Sequence, residues 1–242
     1  MPEPFLSIVV PAYNEARRIR DTLEKLCHIQ ASKPYSVELM VVDDGSTDQT
    51  VQTVEKFPGI RLVRNDRNHG KGFTVRHGVL EATGKYVLFT DADLSTPIEE
   101  ADKLLSVLQR DGADVAIGSR ALQRELIGVR QPWLRETGGR FFNLLVRGFT
   151  GLKLHDTQCG FKLFNRNSTR RAFEKLRIEG FGFDPELLFL IETGGGRIVE
   201  VPVRWNDNPA TKVRFLRDAA EMVLDLIGIR WRSLTGTYSE HH

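Results

Sequence analysis

The first half of the 242-residue chain alternates short apolar runs with amphipathic stretches. Phe5–Val10 is apolar and β-branched and stops at Pro11, which predicts a strand. Ala16–Ile29 then places Ile19, Leu23, Leu26 and Ile29 at helical spacing. Val37–Val42 predicts the next strand, Gln49–Lys56 a short helix, Ile60–Val63 a third strand, and Gly72–Ala82 a helix that stops at Gly84. Tyr86–Thr90 predicts the fourth strand. A helix entered at Pro97 continues through Ala101, Leu104, Leu105 and Leu108, and Asp114–Gly118 predicts the fifth strand. This alternation predicts an α/β fold, a Rossmann-like, mostly parallel sheet with helices on both faces. Ligands of such sheets bind beyond the carboxyl ends of the strands.

The second half is less regular. Trp133–Phe149 reads as a helix, Gly160–Phe164 as a short strand, Pro185–Glu192 as a helix broken by Gly194-Gly195-Gly196, and Arg197–Val203 as a strand. Asn206–Val213 is a polar loop and Phe215–Trp231 a final helix. With no repeat and no linker, residues 1–242 read as a single domain, about 5–120 forming a nucleotide half and about 121–242 an acceptor half.

Composition narrows the partners. A net charge of +2 is too balanced to argue for nucleic acid. Cys27 and Cys159 fit no metal or disulfide pattern, and Met1–Pro4 leads directly into a strand. A reduced, cytoplasmic setting is the expectation. No window holds the ~20 apolar residues of a membrane span. The last helix has an apolar face flanked by Arg214, Arg217, Arg230 and Arg232, with Trp231 at its end. It reads either as a core helix or as a helix lying on a membrane surface.

The candidate chemistry lies at the predicted strand ends. Asp91-Ala92-Asp93 follows the fourth strand, and side chains two apart on a strand share a face. Two such carboxylates suit a hard cation, Mg²⁺ or Mn²⁺, although turn or cap carboxylates before Pro97 are the plain alternative. Asp43-Asp44 ends the second strand, where one buried Asp would accept a base N–H; the plain alternative is turn and cap chemistry. Pro11-Ala12-Tyr13-Asn14-Glu15 offers an aromatic ring and a carboxylate for a base or ribose, or simply a helix N-terminus. Gly70-Lys71-Gly72 opens a helix and favours an anion. Arg120 ends the fifth strand, either on a phosphate or at the surface. Asp156 and Asp184 are candidate general bases, or turn and helix-entry residues.

The ordered set VVPAYNE, VVDDGSTD, GKG, TDADLS, GSR and DTQCGFKLF resembles the family 2 inverting glycosyltransferases of the GT-A fold over roughly residues 5–232. With FDPELLFL and VPVRW it is most similar to the polyprenyl-phosphate branch, the dolichyl-phosphate β-glucosyltransferases in particular. The resemblance implies a UDP-glucose or GDP-mannose donor, with Pro11, Tyr13, Glu15, Asp43, Asp44, Lys71, Asp91 and Ala92 around the nucleotide sugar. It implies Mg²⁺ or Mn²⁺ on Asp91 and Asp93, and Arg120 near the donor phosphates. Asp93, Arg120 and Asp156 are the expected catalytic set. The chain departs from the mannosyltransferases at Ser95, where they often carry a Gln ligand. It departs again in the acceptor loop, where Lys212 carries over and Arg204 and Arg214 substitute as guides for the acceptor phosphate. The expected partners are the donor, a polyprenyl phosphate and, peripherally, a membrane; association of copies stays open. The rival readings are a soluble transferase acting on a polysaccharide or small molecule, and a nucleotide-sugar-binding module without turnover.

Overall fold

A computed structural model describes residues 3–129, 133–207 and 215–238. The strands are β1 (Leu6–Ala12), β2 (Val37–Asp43), β3 (Ile60–Arg64), β4 (Tyr86–Thr90), β5 (Val115–Ser119), β6 (Phe161–Asn165) and β7 (Ile198–Pro202). The helices are α1 (Ile19–Ser32), α2 (Thr50–Val54), α3 (Lys71–Glu81), α4 (Ala101–Asp111), α5 (Trp133–Thr150), α6 (Arg166–Lys175), α7 (Phe183–Thr193) and α8 (Phe215–Leu234). The strands form one seven-stranded sheet in the order β3-β2-β1-β4-β6-β5-β7. All pairs are parallel except those of β6, which runs antiparallel to both β4 and β5.

The apolar runs read as strands because both faces are covered. Successive residues of β1 divide between two cores: Val9 joins Met40, Val42 and Phe89 on one face, and Ile8 and Val10 join Leu39, Val41 and Leu88 on the other. Helices α3, α5, α6, α7 and α8 pack on the first face through residues such as Val75, Val146, Phe173, Leu187 and Leu226. Helices α1 and α4 cover the second through Ile19, Leu23, Leu26, Leu104 and Leu108.

Three features differ from the sequence reading. Strand β1 runs through Pro11 instead of ending there. Pairing of β1 with β4 stops at Val9, so Pro11 has a strand only on its β2 side and its missing N–H breaks no ladder. Helix α6 was not expected. Its sequence, Arg166-Asn167-Ser168-Thr169-Arg170-Arg171, is polar, but Asn165 caps it by accepting the Asn167 N–H at 3.2 Å, and Ala172 and Phe173 anchor it. Strand β6 was expected as a strand, though not as an antiparallel insertion between two parallel neighbours.

The strand order reverses between β1 and β4: from β1 the chain builds outward to β2 and β3, then returns to lay β4 on the other side. The carboxyl ends of β1, β2 and β4 therefore open onto one crevice. The candidate segments Pro11–Glu15, Asp43–Asp44 and Asp91–Asp93 all leave the sheet at that edge.

Candidate functional site

Asp91 and Asp93 lie just past β4, not on it. The Leu94 N–H donates to Asp91 O at 3.1 Å, and Leu94 has a positive φ of 46°, so residues 91–94 form a tight turn. The turn, rather than strand alternation, places both carboxylates in the field of the same two cations, Lys71 and Arg18. Each has a cation beside it: Lys71 Nζ is 2.7 Å from Asp91 Oδ1, and Arg18 Nη1 is 3.5 Å from Asp93 Oδ2. Burial works against the charge on Lys71, but Asp91 and Asp184 outweigh it and hold the ammonium above the ordinary lysine value. Arg18 follows the same balance: burial opposes its charge, and Glu15, Asp93 and Asp91 more than restore it. Ser95 donates its backbone N–H to Asp93 Oδ1 at 3.0 Å and so orients that carboxylate. Ala92 is buried, and its carbonyl accepts Thr22 Oγ1–H at 2.6 Å, tying the turn to α1.

The loops around this turn brace one another. Asn14, with φ of 53°, accepts the Thr47 N–H at 2.8 Å and donates its own N–H to Ser46 Oγ at 2.9 Å. Glu15 binds Arg18 through both carboxylate oxygens. Tyr13 stands exposed beside Pro11 at the end of β1. The acidic pair after β2 splits its duties. Asp44 accepts Asn65 Nδ2–H at 2.7 Å and the His69 and Gly70 N–H groups at 3.0 and 2.9 Å, fastening the loop that carries Lys71. Asp43 is wholly buried; its Oδ2 takes the Ser46 N–H at 3.2 Å and its Oδ1 has no partner among the described residues. A buried carboxylate oxygen without a donor is costly. It fits a ligand N–H such as that of a nucleobase. Gly70 (φ 109°) brings the same loop so close to Glu179 O that an added Cβ would lie 2.6 Å from it.

Arg120 and Asp156 are together, but engaged with each other. Arg120 donates from Nε, Nη2 and its backbone N to the Asp156 carboxylate at 2.7, 2.8 and 2.9 Å. Burial pushes the Asp156 carboxyl up, but Arg120 overcomes that and leaves it below the usual value. Asp156 is thus an ionised anchor, not a poised base. Asp184 is buried 2.6 Å from Lys162; burial raises its carboxyl above the usual value, and Lys162 and Lys71 offset that only in part. Arg204 is also committed, to Glu100. Lys212 and Arg214 lie outside the described residues.

Beside Arg120 lies a cavity of about 250 Å³ whose lining includes Arg124, Glu136, Arg140, His155 and Trp205. The sequence did not single out Arg124, Glu136 or Arg140, while Trp205 falls in the motif VPVRW. Arg124 and Arg140 share one carboxylate, Glu136, the latter at 2.9 Å, which leaves one positive charge in excess. Arg120 stacks over Trp205, 5.4 Å from the ring centre. Arg124 and Glu136 have no periodicity to reveal them; they meet only because the segment after β5 folds back onto α5.

Two carboxylates with no His or Cys form an oxygen donor set that suits a hard divalent cation. Among the described residues no group of three or more His, Cys, Asp or Glu converges. The remaining ligand positions would therefore fall to oxygens of a bound diphosphate, and Lys71 and Arg18 stand in as counter-charges.

The sequence profile of Glycosyl transferase family 2 matches residues 7–173. The chain is 35% identical over 261 residues to the dolichyl-phosphate beta-glucosyltransferase of Saccharomyces cerevisiae, covering 99% of this chain and 78% of the relative. It is 37% identical over 256 residues to that of Drosophila melanogaster, covering 98% and 78%. Among solved structures, glucosyl-3-phosphoglycerate synthase from Mycobacterium tuberculosis, crystallised with Mn²⁺ and UDP-glucose, shares the fold at a TM-score of 0.65. That match has 22% identity and covers 95% of this chain and 78% of the other.

The Arg120–Asp156 pair makes a prediction. Asp156→Asn should lower unfolding free energy at pH 7 by about 2–4 kcal/mol, somewhat under the ~3–5 of a fully buried pair because Arg120 is partly exposed. The folded carboxyl titrates below its unfolded value of about 3.9, so the stabilisation is present above that pH and disappears as pH falls through the folded value. Urea unfolding of parent and variant should show a constant gap above about pH 4 that closes in acid. An equal gap at every pH would show that the charge of Asp156 is not the source.

Proposed function

The chain belongs to glycosyl transferase family 2, and from that premise we propose that it moves glucose from a nucleotide sugar, UDP-glucose, to a polyprenyl phosphate of the dolichyl type. It is a glycosyltransferase; the sugar and lipid follow the relatives that match nearly the whole chain. The observation that carries the donor reading is the pair Asp91 and Asp93, held in one turn between Lys71 and Arg18. The base enters toward Asp43 Oδ1 and stacks on Tyr13. The diphosphate lies at the Asp91–Asp93 turn, with Lys71 and Arg18 supplying fixed positive charge where the leaving group becomes more negative. Asp91 and Asp93 would hold Mg²⁺ or Mn²⁺, which when bound neutralises the departing diphosphate.

For the acceptor phosphate, the cavity beside Arg120 offers described cations, whereas Lys212 and Arg214 lie outside the described residues and Arg204 is paired with Glu100. A monoester phosphate has its second pKa near ~6 and is largely dianionic at neutral pH. It attacks the anomeric carbon without a proton acceptor, so the commitment of Asp156 to Arg120 costs the reaction nothing. What it requires is cationic guidance, and the excess charge of Arg124 and Arg140 over Glu136 supplies it. The lipid itself suits the outer face of α5 and α8. These helices pack together. Trp133, Phe141 and Leu144 on α5 and Leu224, Ile227, Trp231 and Leu234 on α8 are 48–75% exposed. The α8 residues recur at intervals of three and four, a single apolar stripe. No helix among the described residues is long and apolar enough to cross a membrane; contact along this stripe would be peripheral.

Purified protein with UDP-glucose, Mn²⁺ and dolichyl phosphate should release free UDP and form glucosylated lipid. GDP-mannose should be the poorer donor. Asp93→Ala should cut turnover at least about 100-fold without unfolding the protein. Parent-like turnover in that variant would contradict the donor site, and UDP release with a soluble phosphorylated acid but not with the lipid would contradict the acceptor.

Liposomes carrying polyprenyl phosphate should co-float the protein, and a Trp231→Glu/Leu234→Glu variant should stay largely in the soluble fraction while melting as the parent does. Equal flotation of both proteins would contradict the membrane face.

A further inference from the structure

Lys162 is the second residue of β6, which lies between β4 and β5, and is wholly buried. Its Nζ lies 2.6 Å from Asp184 Oδ1, donates to Cys159 O at 2.6 Å, and sits 5.9 Å from the centre of the Phe89 ring. Asp184 Oδ1 is poorly aligned for a hydrogen bond, so the attraction is chiefly Coulombic. Two apolar side chains of similar volume would hold a core at least as well as a buried ion pair. Stability alone therefore does not account for Lys162 and Asp184.

Their attachments do. The Cys159 carbonyl that Lys162 grips leads into Gly160. The Gly160 carbonyl accepts the Asp91 N–H at 3.1 Å, and its Cα lies so close to the Asp91 carboxylate that a Cβ would overlap it. On the other side Asp184 attracts Lys71 as well as Lys162, and Lys71 holds Asp91 Oδ1. The charges alternate from Asp91 through Lys71 and Asp184 to Lys162, and the backbone closes the circuit from Lys162 through Gly160 back to Asp91. The second half of the motif DTQCGFKLF thus faces the donor end of the crevice.

We propose that Gly160, Lys162 and Asp184 are positioning residues that fix the Asp91 carboxylate for a metal-bound donor diphosphate. This rests on the reading of Asp91 and Asp93 given above. Gly160 supplies the space, Lys162 locks the turn that provides it, and Asp184 gives the buried Lys162 its counter-charge while drawing on Lys71, which Asp91 already holds.

Calorimetric titration of UDP, with Mn²⁺ and with EDTA, tests this on the parent, on Lys162→Met/Asp184→Leu and on Gly160→Ala. The double variant removes one charge of each sign and should melt near the parent. Both variants should keep the metal-free affinity for UDP and lose at least about tenfold of the affinity that Mn²⁺ adds, the scale typical of lost support behind a metal ligand. A merely structural role would leave the Mn²⁺-dependent gain intact in any variant that folds, and that result would overturn the proposal. Should the double variant fail to fold, Gly160→Ala, which keeps the ion pair, decides by the same readout. A parent that gains nothing from Mn²⁺ would instead overturn the metal reading of Asp91 and Asp93, a distinct failure.

Discussion

The carboxyl edge of the sheet is a place where carboxylates are packed more densely than water can solvate them, and each must find compensation from the protein. Asp44 finds it in N–H groups, Asp91 in Lys71, Asp93 in Arg18, Asp156 in Arg120 and Asp184 in Lys162. Asp43 Oδ1 alone among these finds no described partner. The compensation is electrostatic rather than covalent, so it is exchangeable: a cation more highly charged than lysine, brought with a diphosphate, fits the same field. This is why the reversal of strand order between β1 and β4 matters. It gathers loops from β1, β2 and β4 around one crevice, and the braces of Asn14, Asp44 and Ser95 hold them there before any ligand arrives.

The parallel half of the fold was legible because most strand residues are apolar and α1 and α4 carry clear apolar stripes at helical spacing. The antiparallel placement of β6 was not, since strand direction follows from packing and not from the composition of Phe161–Asn165. Helix α6 escaped notice because its first six residues are polar and only Thr169, Ala172 and Phe173 are buried. At the site, the acidic pairs announced themselves, but the geometric reason given for Asp91 and Asp93 was wrong: a turn carries them. Arg18 lay within the predicted helix Ala16–Ile29 and was not singled out, and the cluster of Arg124, Glu136 and Arg140 is assembled only by tertiary folding. Lys162 and Asp184 did carry a signal. A charge inside Phe161-Lys162-Leu163-Phe164, and another beside Phe183, stand where apolar residues are the rule.

The two halves of the site solve different problems. The donor end must tolerate a change in charge as a leaving group departs, and it does so with fixed cations and oriented carboxylates. Under the proposed reading, the acceptor end attracts a phosphate already ionised through the excess of Arg124 and Arg140 over Glu136. The neighbouring exposed stripe of α5 and α8 suits a substrate whose phosphate is in water and whose tail is in lipid. Helix α5 links the cavity to the stripe, since Glu136, Gly139, Arg140, Phe142 and Asn143 line the cavity while Phe141 and Leu144 belong to the exposed stripe.

The most direct test is the position of the metal. Anomalous diffraction at the manganese edge, from crystals grown with UDP and Mn²⁺, should place a peak about 2.0–2.2 Å from an Asp93 oxygen and from the diphosphate, with the base N–H on Asp43 Oδ1. A peak remote from both Asp91 and Asp93, with UDP seated elsewhere, would contradict the account at its root.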